Sequence, residues 1–289
     1  MHMATKKAAT TTKKAPVKKT TSSAAAAKTT KTTVTTAPVA ATTPTLGGHI
    51  QQSLRSVALW RALGAELVGT FIFAGVVIAG QGQPIFVLFA LVGIVLTLGA
   101  ISGSHVNPAI TIGALVTRRI GWLRAVGYII AQLLGAALAY IVLNGFISGA
   151  AEVSAQAQAY GQTAPTLFAA ADVAKLTGKE WFVFFAELTG TAILGLGYAY
   201  ATRTAIRNSL NGAFAIGLSV FSASMVAVSA ASYVGATAVI NPAVAIAVHA
   251  YSWANIWPFA IYAIAPAIGA VIGFVVYDLL RGRTTEIAE

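Results

Sequence analysis

Apolar positions in this chain fall in long unbroken blocks rather than in the alternating rhythm of an amphipathic helix or strand. After a polar stretch ending near residue 48, runs at about 57–80, 84–103, 121–145, 180–202, 210–231 and 255–280 are almost wholly apolar. Each reaches the ~20 residues an α-helix needs to cross a ~30 Å hydrocarbon core. Two shorter apolar segments begin at Asn107 and Asn241, after the second and fifth runs, and both open with Asn-Pro-Ala. Asn caps helices through its side-chain oxygen and Pro is favoured at the first helical position, so each triplet predicts a helix start. Roughly ten residues follow Asn107 before Arg118 and Arg119, about 15 Å of helix and half of the hydrocarbon core. The pattern therefore predicts two half-helices that enter a membrane from opposite faces and meet near its middle.

The chain reads as helix, helix, half-helix, helix, written twice. Ala65-Glu66-Leu67-Val68-Gly69-Thr70 opens the first copy and Ala186-Glu187-Leu188-Thr189-Gly190-Thr191 the second. Three full spans per copy force the copies into opposite orientations, and inverted repeats with broken helices at the midplane are a recurring solution for transport. The expected organisation is a tail over 1–48 and a channel domain over 49–289. Within that domain, repeat one covers about 55–145, an external connector 146–179 and repeat two about 180–281.

Composition agrees with a membrane protein: 57% of residues are hydrophobic, 9% are charged and the mean hydropathy is +0.75. Soluble domains carry about a quarter of their residues as charges. The net charge of +11 suggests nucleic acid until it is located. Lys6, Lys7, Lys13, Lys14, Lys18, Lys19, Lys28 and Lys31 supply most of it, and no acidic residue precedes Glu66. This Lys, Thr and Ala-rich tail lacks the apolar side chains needed to offset ordering entropy and is expected to be a disordered cytoplasmic extension. Electrostatic attachment to anionic lipid or nucleic acid is the sharper alternative. With no cysteine, disulfides and thiolate chemistry are excluded.

Basic residues set the expected orientation. Arg55 and Arg61, then Arg118, Arg119 and Arg124, then Arg203 and Arg207, and finally Arg281 and Arg283 flank alternate connections. The positive-inside rule makes that side cytoplasmic, with both termini on it, in a multi-pass protein of the plasma or inner membrane. Gly127, Gly135, Ala139, Gly190, Gly195 and Gly197 read as faces for close helix crossing. Trp122, Trp181, Trp253 and Trp257 sit near span ends as interface anchors.

An Asn cap spends its side-chain oxygen on helix amides and keeps its NH2 as a donor, so Asn107 and Asn241 are expected to hold a passing oxygen in a lumen. Two half-helices also point positive dipole ends at one depth, which disfavours cations and protons. Glu66 and Glu187, carboxylates within spans, are expected to face protein interior as structural supports rather than proton relays. His105 is read as a hydrogen-bonded interior histidine steadying the loop ahead of Asn107, in preference to a pH sensor.

Ser102-Gly103-Ser104-His105-Val106-Asn107-Pro108-Ala109-Ile110-Thr111, paired with Val239-Ile240-Asn241-Pro242-Ala243, resembles the aquaporin and glyceroporin family across about residues 55–281. The resemblance implies an all-α integral membrane fold of six tilted helices and two re-entrant half-helices, one pore per subunit, and a homotetramer in the bilayer. It also implies a pore lined by Asn107, Pro108, Ala109, Asn241, Pro242 and Ala243.

In most members an Arg after the second triplet lines the narrowest constriction; here that position is Val244. By the family's spacing the other constriction positions are Val87, Ala238 and a residue of the fifth run. Anchoring on Ala215-Ile216-Gly217 gives Ser224 there, counting back from Asn241 gives Ser229, and Ser224 is taken. Exchanging a guanidinium for an isopropyl group removes donors, charge and bulk. The expectation is a channel for water and small neutral solutes, wider than a strict water channel, such as glycerol, urea, or metalloid acids and their methylated derivatives. Tyr233, in the segment before Asn241, is the alternative occupant of the vacated space and would give a narrow or closed pore with a scaffold role. A gradient-coupled transporter is the other competitor, and it usually needs ionisable residues at the midplane. No catalytic or metal-ligand constellation argues for an enzyme, and no cofactor or metal is implied.

Overall fold

A computed structural model describes residues 46–202, 209–252 and 255–282. Residues 1–45 of the tail, together with Arg203, Arg207, Trp253 and Arg283, lie outside the described residues. The described residues form helices joined by loops. α1 is Leu46–Leu54, α2 Val57–Ala79, α3 Pro84–Ser102, α4 Pro108–Val116 and α5 Trp122–Ser148. α6 is the single turn Ala155–Ala159, α7 Glu180–Ala201, α8 Leu210–Ser232 and α9 Pro242–Ala247, and α10 spans Trp257–Arg281. Six of these, α2, α3, α5, α7, α8 and α10, are long and apolar enough to cross a membrane. Their ends fall within about three residues of the expected runs, because Pro84, Gly103, Gly121 and Gly149 start or stop them. The helix at Leu46–Leu54 was not expected, and its first turn lies inside the stretch read as tail.

The repeat governs the packing. α2 packs against α3 and α5, and α7 in the same way against α8 and α10, while α3 meets α8 between the halves. Each half-helix crosses over, α4 onto α10 and α9 onto α5. The re-entrant elements are thus held by the last span of the opposite repeat.

Small residues make these crossings close. A Cβ on Gly135 would run into the Leu67 carbonyl oxygen of α2, and one on Gly269 into the Leu188 carbonyl oxygen of α7. Gly135→Leu or Gly269→Leu should therefore push the paired helices apart and cost about 1–3 kcal/mol by overpacking. Thermal unfolding in detergent should show both variants well below wild type, whereas Gly145→Ala, where nothing lies within 4 Å of the added carbon, should unfold with it.

Within α10 a π-turn at Ala260–Ile264 precedes Pro266. Proline has no N–H, so the Tyr262 carbonyl loses its usual helical donor. Tyr251 Oη lies 3.0 Å from that carbonyl oxygen and 3.2 Å from the Pro242 oxygen. One hydroxyl therefore ties the irregular part of α10 to the start of α9.

Candidate functional site

The Asn-Pro-Ala triplets cap their half-helices as their chemistry requires. Asn107 Oδ1 accepts from the Ala109 amide at 2.9 Å, and Asn241 Oδ1 from those of Ala243 and Val244 at 3.0 and 3.4 Å. The amide nitrogens do something the sequence did not reveal. Asn107 Nδ2 donates to the Ile240 carbonyl and Asn241 Nδ2 to the Val106 carbonyl, both at 2.9 Å. Each NH2 group was expected to serve the lumen, yet one of its two hydrogens joins the half-helices to each other, which leaves one N–H per Asn for a solute. Val106 and Ile240 present these carbonyls from left-handed backbone, φ 41° and 50°. For β-branched residues that geometry is strained, and it persists only where surroundings over-determine it.

The repeated Ala-Glu-x-x-Gly-Thr sequence supplies those surroundings. Glu66, fully buried, accepts from the amides of His105 and Val106 at 2.9 and 2.8 Å, and from Gln132 Nε2 at 2.7 Å. Glu187, equally buried, accepts from the amides of Val239 and Ile240. Three residues on, Gly69 leaves room for Val106, whose Cγ1 would be 2.8 Å from an added Cβ, and Gly190 leaves room for Ile240 at 2.7 Å. Each motif therefore holds the loop ahead of an Asn twice, by carboxylate and by the missing side chain.

His105 belongs to the same network. Its Nδ1 is 3.2 Å from Thr111 Oγ1, which Gln132 Nε2 also contacts at 3.0 Å. Its ring lies edge-on to Tyr128 and Tyr198, whose hydroxyls donate to the Ser102 and Ser104 carbonyls. Tyr262 braces the second loop likewise, donating to the Thr237 carbonyl at 2.8 Å. Gln132, Tyr128 and Tyr198 escaped the sequence reading. An isolated amide and single hydroxyls in apolar spans were the available signal, since polar side chains buried in a membrane need partners.

Two cavities flank this centre. One of about 240 Å³ opens toward the connector and is lined by Val87, Ser224 and Ala238, with Asn107, Asn241 and His105 at its floor. The other, about 210 Å³, is lined by His105, Ser102 and Gly103 and by Arg119 and Arg124 at the opposite end. Arg119 is held there by Asp278 at 2.8 Å and by the Phe274 ring at 4.8 Å. Three of the four expected constriction residues thus share a wall, and Ser224 rather than Ser229 is on it. Val244 is 1% exposed and lines neither cavity. Tyr233, 88% exposed, is not on the wall of this cavity, whereas Phe168 of the connector is. A larger lateral cleft of about 1050 Å³, reaching Pro108 and Pro242 from behind, contains neither Asn.

Residues 53–277 match the family model described as major intrinsic protein. The chain belongs to the major intrinsic protein family. It is 33% identical to the lens fiber major intrinsic protein of Mus musculus over 250 residues, covering 82% of this chain and 87% of that one. It is 32% identical to Aquaporin NIP3-1 of Oryza sativa subsp. japonica over 245 residues, covering 78% of this chain and 70% of the relative. Its fold is shared with the aquaglyceroporin from Plasmodium falciparum, at a TM-score of 0.55 and 21% identity over 76% of this chain and 95% of that one. As a major intrinsic protein it is a multi-pass membrane channel.

Proposed function

We propose that this channel passes water and small neutral solutes passively and is wider than a strict water channel, with glycerol, urea and undissociated metalloid acids or their methylated derivatives as candidate solutes. The observation that carries the reading is the uncharged wall formed by Val87, Ser224 and Ala238 above two Asn amides, with Val244 where most of the family has Arg. Such a wall offers one hydroxyl and no fixed charge, so it sorts solutes by size more than by hydrogen bonding. Val87, Ser224 and Ala238 line the constriction in this proposal, and Val244, buried and on neither cavity wall, contributes by the absence of an arginine side chain. Asn107 and Asn241 offer the remaining N–H donors, and the half-helix dipoles oppose cations and protons. His105, Glu66 and Glu187 hold the loops and do not relay protons.

The Arg119 and Arg124 end is cytoplasmic by the positive-inside rule, with both termini on that side of the plasma or inner membrane. Subunits assemble as homotetramers, each with its own pore. The Lys-rich sequence of the tail, with no acidic residue, suits attraction to anionic lipid.

Stopped-flow light scattering of proteoliposomes in water, glycerol, urea and arsenite gradients tests the solute range. Val244→Arg is expected to lower the glycerol-to-water permeability ratio by about tenfold, since it restores bulk and charge. Val244→Ala serves as the control for packing. If the Arg variant reconstitutes and keeps the wild-type ratio, Val244 has no part in the filter. Solute flux that follows a proton or sodium gradient would instead favour a coupled transporter.

A further inference from the structure

Phe168 lies in the connector between the repeats, far in sequence from every residue of the filter, yet its ring sits on the wall of the 240 Å³ cavity beside Val87 and Ala238. Its position is over-determined. Two residues before it, the Thr166 carbonyl accepts from Gln81 Nε2 at 3.3 Å. Two residues after it, the Ala170 amide donates to the Val248 carbonyl at 2.8 Å, and the next amide, of Ala171, donates to Thr237 Oγ1 at 3.0 Å. Thr237 is in turn fixed by Tyr262. The stretch between these anchors is too short to swing away. Beneath the ring is Gly82, at φ 68°, where a Cβ would stand 2.7 Å from Phe168 Cζ. The turn between α2 and α3 thus lacks a side chain where the ring is laid down.

We propose that Phe168 sets the size limit at the outer mouth, the aromatic surface that Val87, Ser224, Ala238 and Val244 do not provide. The proposal rests on reading this cavity as the outer part of the solute path. A rigidly anchored ring excludes by cross-section and itself offers no donor, so it favours compact neutral solutes with some apolar surface over larger polyols.

The test compares wild type with Phe168→Ala, Phe168→Leu and Phe168→Trp in proteoliposomes, measuring water, glycerol and the longer polyol erythritol by stopped-flow scattering. Phe168→Ala should raise the erythritol-to-water ratio by about tenfold with water flux changed less than about twofold. Phe168→Leu should fall between, and Phe168→Trp should depress glycerol. Leu keeps an apolar side chain on the cavity wall, so it carries the test if the Ala variant fails to reconstitute. Ratios that stay at the wild-type value in both Ala and Leu variants overturn the proposal. If wild type passes neither polyol, the wide-channel reading fails by itself. The role of Phe168 then stands if Phe168→Ala opens the channel to glycerol, and falls if it does not.

Discussion

Asn241→Asp is expected to make the channel leak monovalent cations. In the native protein the Asn241 side chain accepts from the Ala243 and Val244 amides and donates to the Val106 carbonyl. Asp keeps the acceptor and loses the donor, and it sets a carboxylate oxygen against the Val106 oxygen. It also puts a full negative charge where the α4 and α9 dipoles converge. A cation passing ~5 Å from that charge gains about 3 kcal/mol at an effective dielectric of ~20, roughly a hundredfold in occupancy. The leak should grow with pH as the carboxyl ionises and should vanish when it is protonated. Planar-bilayer conductance in symmetric KCl is the measurement, with Asn107→Asp expected to behave in the same way because its contacts are the mirror of these. A variant that reconstitutes, conducts water and stays as tight to potassium as wild type at pH 8 would show that the central barrier is not electrostatic.

Glu66→Ala and Glu187→Ala should be the most destabilising single substitutions in the described chain. Removing Glu187 leaves the Val239 and Ile240 amides without acceptors, and removing Glu66 strands the His105 and Val106 amides and leaves Gln132 Nε2 with Thr111 Oγ1 alone. Each orphaned buried donor costs about 1–3 kcal/mol, so the sum approaches a large part of the ~5–15 kcal/mol by which domains are stable. The strained backbone at Val106 and Ile240 would lose its restraint as well. Fluorescence-detected size exclusion after heating should show both Ala variants aggregating far below wild type. Glu66→Gln keeps one acceptor oxygen and should fall between. The same variant also separates support from proton relay: a relay would lose proton flux in Glu66→Gln at intact fold, whereas a support would change only the melting temperature. Ala variants that melt with wild type would mean that neither carboxylate holds its loop.

The parts of this architecture legible in the sequence were those written in long blocks or in duplicate. Spans were legible because a bilayer core demands ~20 apolar residues whatever their neighbours, and the half-helices because Asn and Pro act locally. Glu66 and Glu187 were legible as buried carboxylates because they recur at matching places beside a glycine. What they hold was not, since a carboxylate that accepts from amides some forty to fifty residues away leaves no local pattern. The single Gln132, the tyrosine braces and the crossing amide hydrogens of Asn107 and Asn241 are non-local in the same sense. Phe168 was hidden for another reason: a connector has no periodicity, and its inward turn depends on hydrogen bonds to Gln81, Thr237 and Val248 from three different elements. Tyr233, the alternative occupant from the nearer loop, is exposed and off the cavity wall, because sequence proximity to Asn241 does not convert into proximity to the cavity.

The two crossed hydrogen bonds, Asn107 to Ile240 and Asn241 to Val106, have equal length and the same chemistry. Each Asn reaches the residue that precedes the other Asn, so the contact is self-complementary, as at an isologous interface between identical subunits. Nothing in it requires that both partners sit on one chain. Two copies of a polypeptide with three spans and one half-helix, inserted in opposite orientations, could make the same clasp about a twofold axis in the membrane plane. The long connector then becomes the link that converts such a dimer into one chain, and Phe168 is a place where that link reaches the wall of the 240 Å³ cavity.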